Sequence, residues 1–339
     1  MANHKRGKQS FVLPQMPVIT AWASVAGKKE SEGPLGQLFD ITSQDTYFTE
    51  KTWEQAEKRM QKLALDTLLK KASITQQQIG AVFSGDLLNQ CIGSSFPLRN
   101  MQIPHLGLYG ACSTMSESLL LSAMTVCGGF SDKVVAMTSS HFASSERQYR
   151  FPLGYGGQRT PTSQWTVTGC GALLLCSAGK GPGVESCTIG TVTDFGVKDA
   201  NNMGAAMAPA AYATIRAHFD DLGTSPEDYD LIATGDLGQL GKDLLLELAE
   251  RDGISLGGKI VDCGTLVFDQ LDQDVHSGGS GCGCSAVTLC AYLLPKLASG
   301  KLGRVLFCGT GALLSPTSTQ QGLPIPGVCH AVSIVGGRN

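Results

Sequence analysis

The chain has 339 residues, a net charge of −3 and 16% charged residues, where an average soluble protein has roughly 25%. This balance argues against a basic nucleic-acid-binding surface, and no stretch approaches the ~20 apolar residues that a membrane-spanning helix needs. Twelve cysteines, several inside apolar stretches (Cys170, Cys176, Cys187, Cys290) and with no secretory leader ahead of them, read as buried thiols of a reducing compartment.

The basic start, His4-Lys5-Arg6 running into Gly7-Lys8-Gln9-Ser10, has no apolar core and reads as a solvated end. From Trp53 to Lys71, apolar residues recur at helical spacing (Ala56, Met60, Leu63, Ala64, Leu68). Residues 72–87 then offer a hydroxyl suited to cap a short turn (Thr75), an apolar strand through Val82, and a Gly85-Asp86-Leu87 exit. Gly110-Ala111-Cys112-Ser113 opens a second helix (Leu119 to Val126), which stops at Gly128-Gly129 before the strand Lys133 to Thr138. A long polar loop spans Glu146 to Arg159, and Gly169-Cys170-Gly171-Ala172 begins another strand.

The pattern then returns. Met207, Ala210, Ala211, Ile215 and Phe219 mark a helix from Met203 to Leu222, and residues 222–237 align without a gap on residues 72–87. Ser225 matches Thr75, Ile232 matches Val82, and Gly235-Asp236-Leu237 matches Gly85-Asp86-Leu87. Gly283-Cys284-Ser285-Ala286 opens another small-residue helix, followed by Gly300 and the strand Arg304 to Cys308. Each half therefore predicts an α/β order with a largely parallel sheet, and the two halves (1–180 and 181–339) stack as five pseudo-symmetric layers with the small-residue helices innermost.

These residues resemble the thiolase and β-ketoacyl synthase superfamily, which carries Ala-Cys-Ser at the start of a buried helix, as Ala111-Cys112-Ser113 does here. The Gly169 strand, the Gly278-to-Ala286 glycine-rich turn and the closing Cys308-Gly309-Thr310-Gly311 are similar to the superfamily's other motifs. Longer stretches (Gly85 to Asn89, Thr138 to His141, Glu146-Arg147-Gln148, Tyr155 to Gln158, Ala206 to Ala210, Gly311 to Pro316) resemble one branch, the stage V sporulation protein AD family of spore-forming bacteria. The resemblance implies a thiolase-like fold and a soluble protein that binds dipicolinic acid for uptake into the developing spore. It also implies a homodimer working with other subunits of a spore membrane transport assembly, cytoplasmic or peripheral to the spore inner membrane. Neither a cofactor nor a metal of its own is expected; calcium enters as the salt of the ligand.

A cysteine at a helix N-terminus is favoured as thiolate, and the same N–H groups can hold an oxyanion or a carboxylate. Cys112 thus reads as an acyl-carrying nucleophile, one wall of an anion pocket, or a space-filling thiol. Condensing enzymes of the superfamily add two polar helpers, His with His or Asn. The matching positions fall at Thr234-Gly235-Asp236 and Gly281-Cys282-Gly283, which offer neither. Asp236 reads as a turn residue like its mate Asp86, or as a base. Cys308 stands at the superfamily's second cysteine. Ser113, Ser140, His141, Asp236 and Cys282 are candidate ligand contacts, the Ser-His pair because it follows a strand's carboxyl end. Arg147 suits a dicarboxylate or an interface, and less well a solvated face, and His276 suits a ligand or a solvated loop. Three functions stay open: a non-catalytic dipicolinate binder, an active acyltransferase or condensing enzyme working through a Cys112 acyl-enzyme, and a partner protein with a vestigial pocket.

Overall fold

The computed structural model describes residues 4–149 and 159–337. Its main elements in chain order are β1 (Val18–Ala26), α1 (Trp53–Ala72), β2 (Ala81–Gly85), β3 (His105–Leu108), α2 (Thr114–Cys127), β4 (Lys133–Ser140), α3 (Phe142–Tyr149) and β5 (Gly169–Cys176). There follow β6 (Gly183–Thr188), α4 (Met203–Leu222), β7 (Leu231–Thr234), α5 (Gly238–Arg251), β8 (Ile260–Asp262), α6 (beginning Cys282–Thr288), β9 (Arg304–Ala312) and β10 (Gly327–Val335). The sheet order is β8-β7-β9-β10-β6-β1-β5-β4-β2-β3. Each half therefore repeats one order, 3-2-4-5-1 in the first and the same order five strand numbers later in the second. A single residue pair, Gly183 with Val18, joins β6 to β1.

Local chemistry fixes the repeat. Helices α1 and α4 are both 20 residues long, start on a side-chain cap (Thr52 to the Gln55 N–H, Asn202 to the Ala205 N–H) and end on a left-handed residue, Ser73 or Gly223. Each is followed by a capping box, Thr75 with Gln78 and Ser225 with Asp228, which turns the chain into its strand. Helix α1 covers the outer face of the first sheet half, and α4 with α5 covers the second. Between the halves lie α2 and α6, inside one shared apolar core. Every residue from Cys282 to Thr288 is buried. Helix α6 passes through a π turn at Leu289–Leu293 before continuing as Leu294–Ala298, because Pro295 has no N–H to give the preceding turn.

The glycine motifs explain how the inner helices fit. A Cβ on Gly171 of β5 would lie 2.4 Å from the Ala286 carbonyl oxygen, and one on Gly309 of β9 would lie 2.2 Å from the Ser116 hydroxyl. Each inner helix thus presses on a strand of the opposite half, α6 on β5 and α2 on β9.

The N-terminal segment differs from the solvated end that its composition predicts. Lys5–Arg6 and Ser10–Val12 pair as a hairpin, and residues 10–12 add to β6 of the second half. The Asp221 carboxylate accepts from the N–H groups of Lys8, Gln9 and Ser10, a long-range anchor invisible to local charge patterning.

Gly171→Ala is expected to lower stability by about 1–3 kcal/mol through overpacking against α6. Gly257→Ala, whose Cβ would meet nothing within 4 Å, should stay within about 0.5 kcal/mol of the parent, as read by thermal unfolding.

Candidate functional site

Strands β2, β7 and β9 run out at the same end of the molecule, the position where α/β sheets place their ligands. There the chain enters α2 through a tight turn at Ala111–Ser113, with Ala111 held in the left-handed region at φ 51°. The Ser113 hydroxyl donates to the Gly110 carbonyl at 2.7 Å and locks that turn. Cys112, 6% exposed, faces a recess enclosing about 440 Å³, part of it open to solvent. Leu87, Met203, Ala312 and Leu314 form apolar walls; Ser145, Glu146 and Tyr149 come from α3; Thr166 and Ser280 complete the lining.

Behind the thiol lies Asp236, fully buried. Its Oδ2 accepts from the Gly281 N–H at 2.8 Å and the Ser280 hydroxyl at 3.2 Å, and its Oδ1 from the Thr310 hydroxyl at 3.0 Å. The Cys112 thiol is also within hydrogen-bonding reach of this carboxylate. Burial first, then the adjacent Asp236 charge, pushes the Cys112 thiol well above its ordinary value. Burial likewise pushes the Asp236 carboxyl up to about 7. The thiolate expected from a helix N-terminus is therefore corrected: a dry site with a carboxylate beside the sulfur outweighs the helix-terminal N–H groups.

The predicted site residues do not all converge. Cys112 and Asp236 meet. Ser113 is spent on its own turn. Ser140 donates to the Val167 carbonyl at 2.7 Å and accepts from the Gly283 N–H, so it fastens the α6 entrance from behind. Cys282 donates to the Ser139 carbonyl at 3.0 Å and is wholly buried. Cys308 points into the outer core under α4, where burial and then Cys329 raise its thiol well above the ordinary value. From the same strand it is Thr310, two residues on, that reaches Asp236. His141 opens on a different cavity, and His276 sits at a left-handed position beside Asp274, 3.5 Å away. Arg147 pairs with Glu54 and covers the Trp53 ring at 5.2 Å, on the side of α3 away from the recess.

The polar stretch read as a loop from Glu146 to Arg159 is helical up to Tyr149, while Arg150, Phe151 and Tyr155 to Gln158 lie outside the described residues. Its Glu146 and Tyr149, three residues apart, were legible as neighbours on one helical face, with Ser145 four before Tyr149, but the loop reading hid that face. Glu146 accepts from the Thr166 hydroxyl at 2.9 Å, and Tyr149 donates to the Leu87 carbonyl at 2.7 Å. Gln164 was also missed; it donates to the Asp236 carbonyl at 2.7 Å and fixes that residue's backbone. Asp86, the repeat mate of Asp236, instead binds Ser94 through both its N–H (2.8 Å) and hydroxyl (2.6 Å), away from the recess.

Residues 7–335 match the family model of stage V sporulation protein AD. Stage V sporulation protein AD of Bacillus subtilis (strain 168) is 43% identical over 326 residues, covering 96% of each chain. Among solved structures, cerulenin-bound OleA of Xanthomonas campestris superposes with a TM-score of 0.61 at 15% identity, over 96% of this chain and 97% of that one. 3-Oxoacyl-(acyl-carrier-protein) synthase III of Aquifex aeolicus VF5 gives 0.57 at 12% identity, over 94% and 99%. These two likenesses are of fold, and they show the thiolase-like architecture.

At pH 7.5 the Cys112 peptide of the native protein should be alkylated by iodoacetamide at least about tenfold more slowly than the same peptide after unfolding. Asp236→Asn removes the neighbouring charge and should speed the native reaction, as followed by peptide mass spectrometry. Native alkylation as fast as that of the unfolded chain would mean that the thiolate forms after all.

Proposed function

This chain belongs to the stage V sporulation protein AD family, and from that premise we propose that it is a non-catalytic binding protein for dipicolinic acid, serving its uptake into the developing spore. The observation that carries the reading is the state of Cys112. Its neighbour is a buried carboxylate, and among the described lining residues there is no imidazole to take the thiol's proton. A nucleophile needs an activating base or a lowered pKa, and Cys112 has neither. Asp236 is already engaged by Ser280, Gly281 and Thr310, so it is built to hold the backbone together more than to shuttle protons.

The lining residues also bear on the form of the ligand. The described lining residues, apolar walls with Glu146 and among them no lysine or arginine, are unfavourable to a free dianion. The calcium chelate of dipicolinate is neutral overall, and the polarity of the described lining suits it. In this reading calcium arrives with the ligand and the protein supplies no dedicated calcium loop. Partner subunits of a spore membrane transport assembly would receive the cargo. Among the described residues no helix is long and apolar enough to cross a membrane, so any membrane contact runs through such partners or the protein's surface.

We also propose a homodimer. Strand β3 ends the sheet, and its Leu106 is 58% exposed beside the half-exposed Tyr109. An open, apolar sheet edge is a template for a second copy. Light scattering should give twice the chain mass, and Leu106→Lys should shift it toward monomer; a monomeric parent overturns the dimer.

Titration calorimetry tests the main reading. Dipicolinate with equimolar Ca²⁺ should give saturable heat, and dipicolinate in EDTA should bind at least about tenfold more weakly. Absence of heat at millimolar ligand in both arms overturns it. Intact mass after incubation with acyl-CoA should show no adduct, whereas a stable acyl group on Cys112 would instead establish the acyltransferase.

A further inference from the structure

Helix α3 and the short strand Trp165–Thr166 form a wall with a different cavity on each side. Ser145, Glu146 and Thr166 face the Cys112 recess, while Phe142, Ala143 and Trp165 face a second cavity enclosing about 790 Å³, also partly open to solvent. Along the strand the separation follows from the two-residue period; along α3, Phe142 and Ala143 belong to the first turn, and Ser145, Glu146 and Tyr149 to the residues that follow.

At the inner end of the second cavity is His141, 2% exposed. Its Nε2 lies 2.8 Å from the Thr46 carbonyl oxygen. A carbonyl only accepts, so Nε2 carries the proton and Nδ1 presents a bare lone pair. Burial lowers the basicity of this ring, which keeps it neutral. Nδ1 is buried and has no hydrogen-bond partner. A buried acceptor in that state is costly, and this one belongs to a ring that lines the cavity.

The walls are aromatic. Phe142 stacks on Trp165 with ring centroids 4.0 Å apart, and Tyr47 stacks on Trp53 across the cavity lining. The mouth is cationic. Lys28, paired with Glu32, and Lys29, whose ammonium donates to the Gln273 carbonyl and sits 4.4 Å from the Trp165 ring centroid, line it; the Arg159 guanidinium, paired with Asp274, lies 4.8 Å from the same ring. Among the described lining residues the one acid, Glu30, is buried and accepts from the Thr168 N–H at 2.8 Å. With two lysines against one buried acid, this described lining is more basic than that of the Cys112 recess, which carries Glu146.

We infer that this cavity is a second ligand site, for a planar aromatic acid whose carboxylate meets Lys29 and whose own hydrogen-bond donor meets Nδ1 of His141. The ring occupies the apolar space between the aromatic walls, where its flat face is buried with little loss of conformational entropy. Lys29 supplies a charge-assisted contact at the mouth. This inference goes beyond the dipicolinate reading and stands without it, because the two cavities share no lining residue and differ in the charge of their described linings.

The test uses the full chain and two probes, 3-hydroxybenzoate, which has both groups, and benzoate, which lacks the donor. Calorimetry should show saturable binding of 3-hydroxybenzoate about tenfold tighter than that of benzoate, the worth of one well-placed hydrogen bond. Binding should quench tryptophan emission to saturation. His141→Phe should bring the two probes to equal affinity, and Lys29→Met should weaken both about tenfold. Equal affinities in the parent, an unaltered Lys29→Met variant, or no saturable binding at millimolar probe would each overturn the inference. If His141→Phe does not fold by circular dichroism, the half-buried Lys29→Met substitution and the parent's preference between the probes decide. Calcium dipicolinate should leave 3-hydroxybenzoate binding unaffected; displacement would show a single shared site and overturn the second one. Failure of dipicolinate to bind at all would sink only the proposed uptake function.

Discussion

One buried carboxylate organises the centre of this molecule. Asp236 sits at the carboxyl end of β7, yet its two oxygens are claimed by Ser280 and Gly281 at the entrance of α6 and by Thr310 on β9. Gln164 holds its backbone carbonyl. The end of one strand, the start of an inner helix and a neighbouring strand are thereby fixed to a single point, with Cys112 resting against it. Moving such a group out of water is unfavourable unless its lone pairs are satisfied, and here each oxygen has a donor. The same carboxylate that secures the architecture keeps the adjacent thiol protonated, so structural order and chemical quiet at Cys112 have one cause.

The two halves show how a duplicated frame acquires a single site. Asp86 and Asp236 occupy equivalent turns, but Asp86 is turned toward Ser94 and lies near a second buried acid, Glu57, pushed up to about 8 by burial and then by Asp86 itself. Glu57 is hydrogen-bonded by the hydroxyls of Ser139 and Ser144. The first half thus uses its acidic turn to build a closed polar network under α1, and the second half aims its own at the recess. The crossed packing of α2 on β9 and α6 on β5 then brings Cys112 of the first half against Asp236 of the second. Neither half contains the site alone.

Helix α3 has a comparable double role. Its first turn lines the aromatic, cation-edged cavity and its later residues line the apolar, acid-edged recess, so a displacement of α3 alters both. Its outer residue Arg147 is pinned to Glu54 and Trp53 on α1, which ties the partition to the outer layer of the fold.

The sequence by itself determined the local grammar. Helical spacing, the capping hydroxyls Thr75 and Ser225, and the gapless match of residues 72–87 with 222–237 depend on near neighbours, and the elements appear where those signals place them. The family and the thiolase-like fold were legible because motif order survives along the chain. Tertiary structure alone decided the state of Cys112, the direction of Cys308 into the outer core, the anchoring of residues 8–10 by Asp221, and the separation of His141 from the recess. Each of these depends on what lies across a packed interface. Burial and charge proximity are properties of residues more than a hundred positions apart, and a side chain's neighbours along the chain do not specify them.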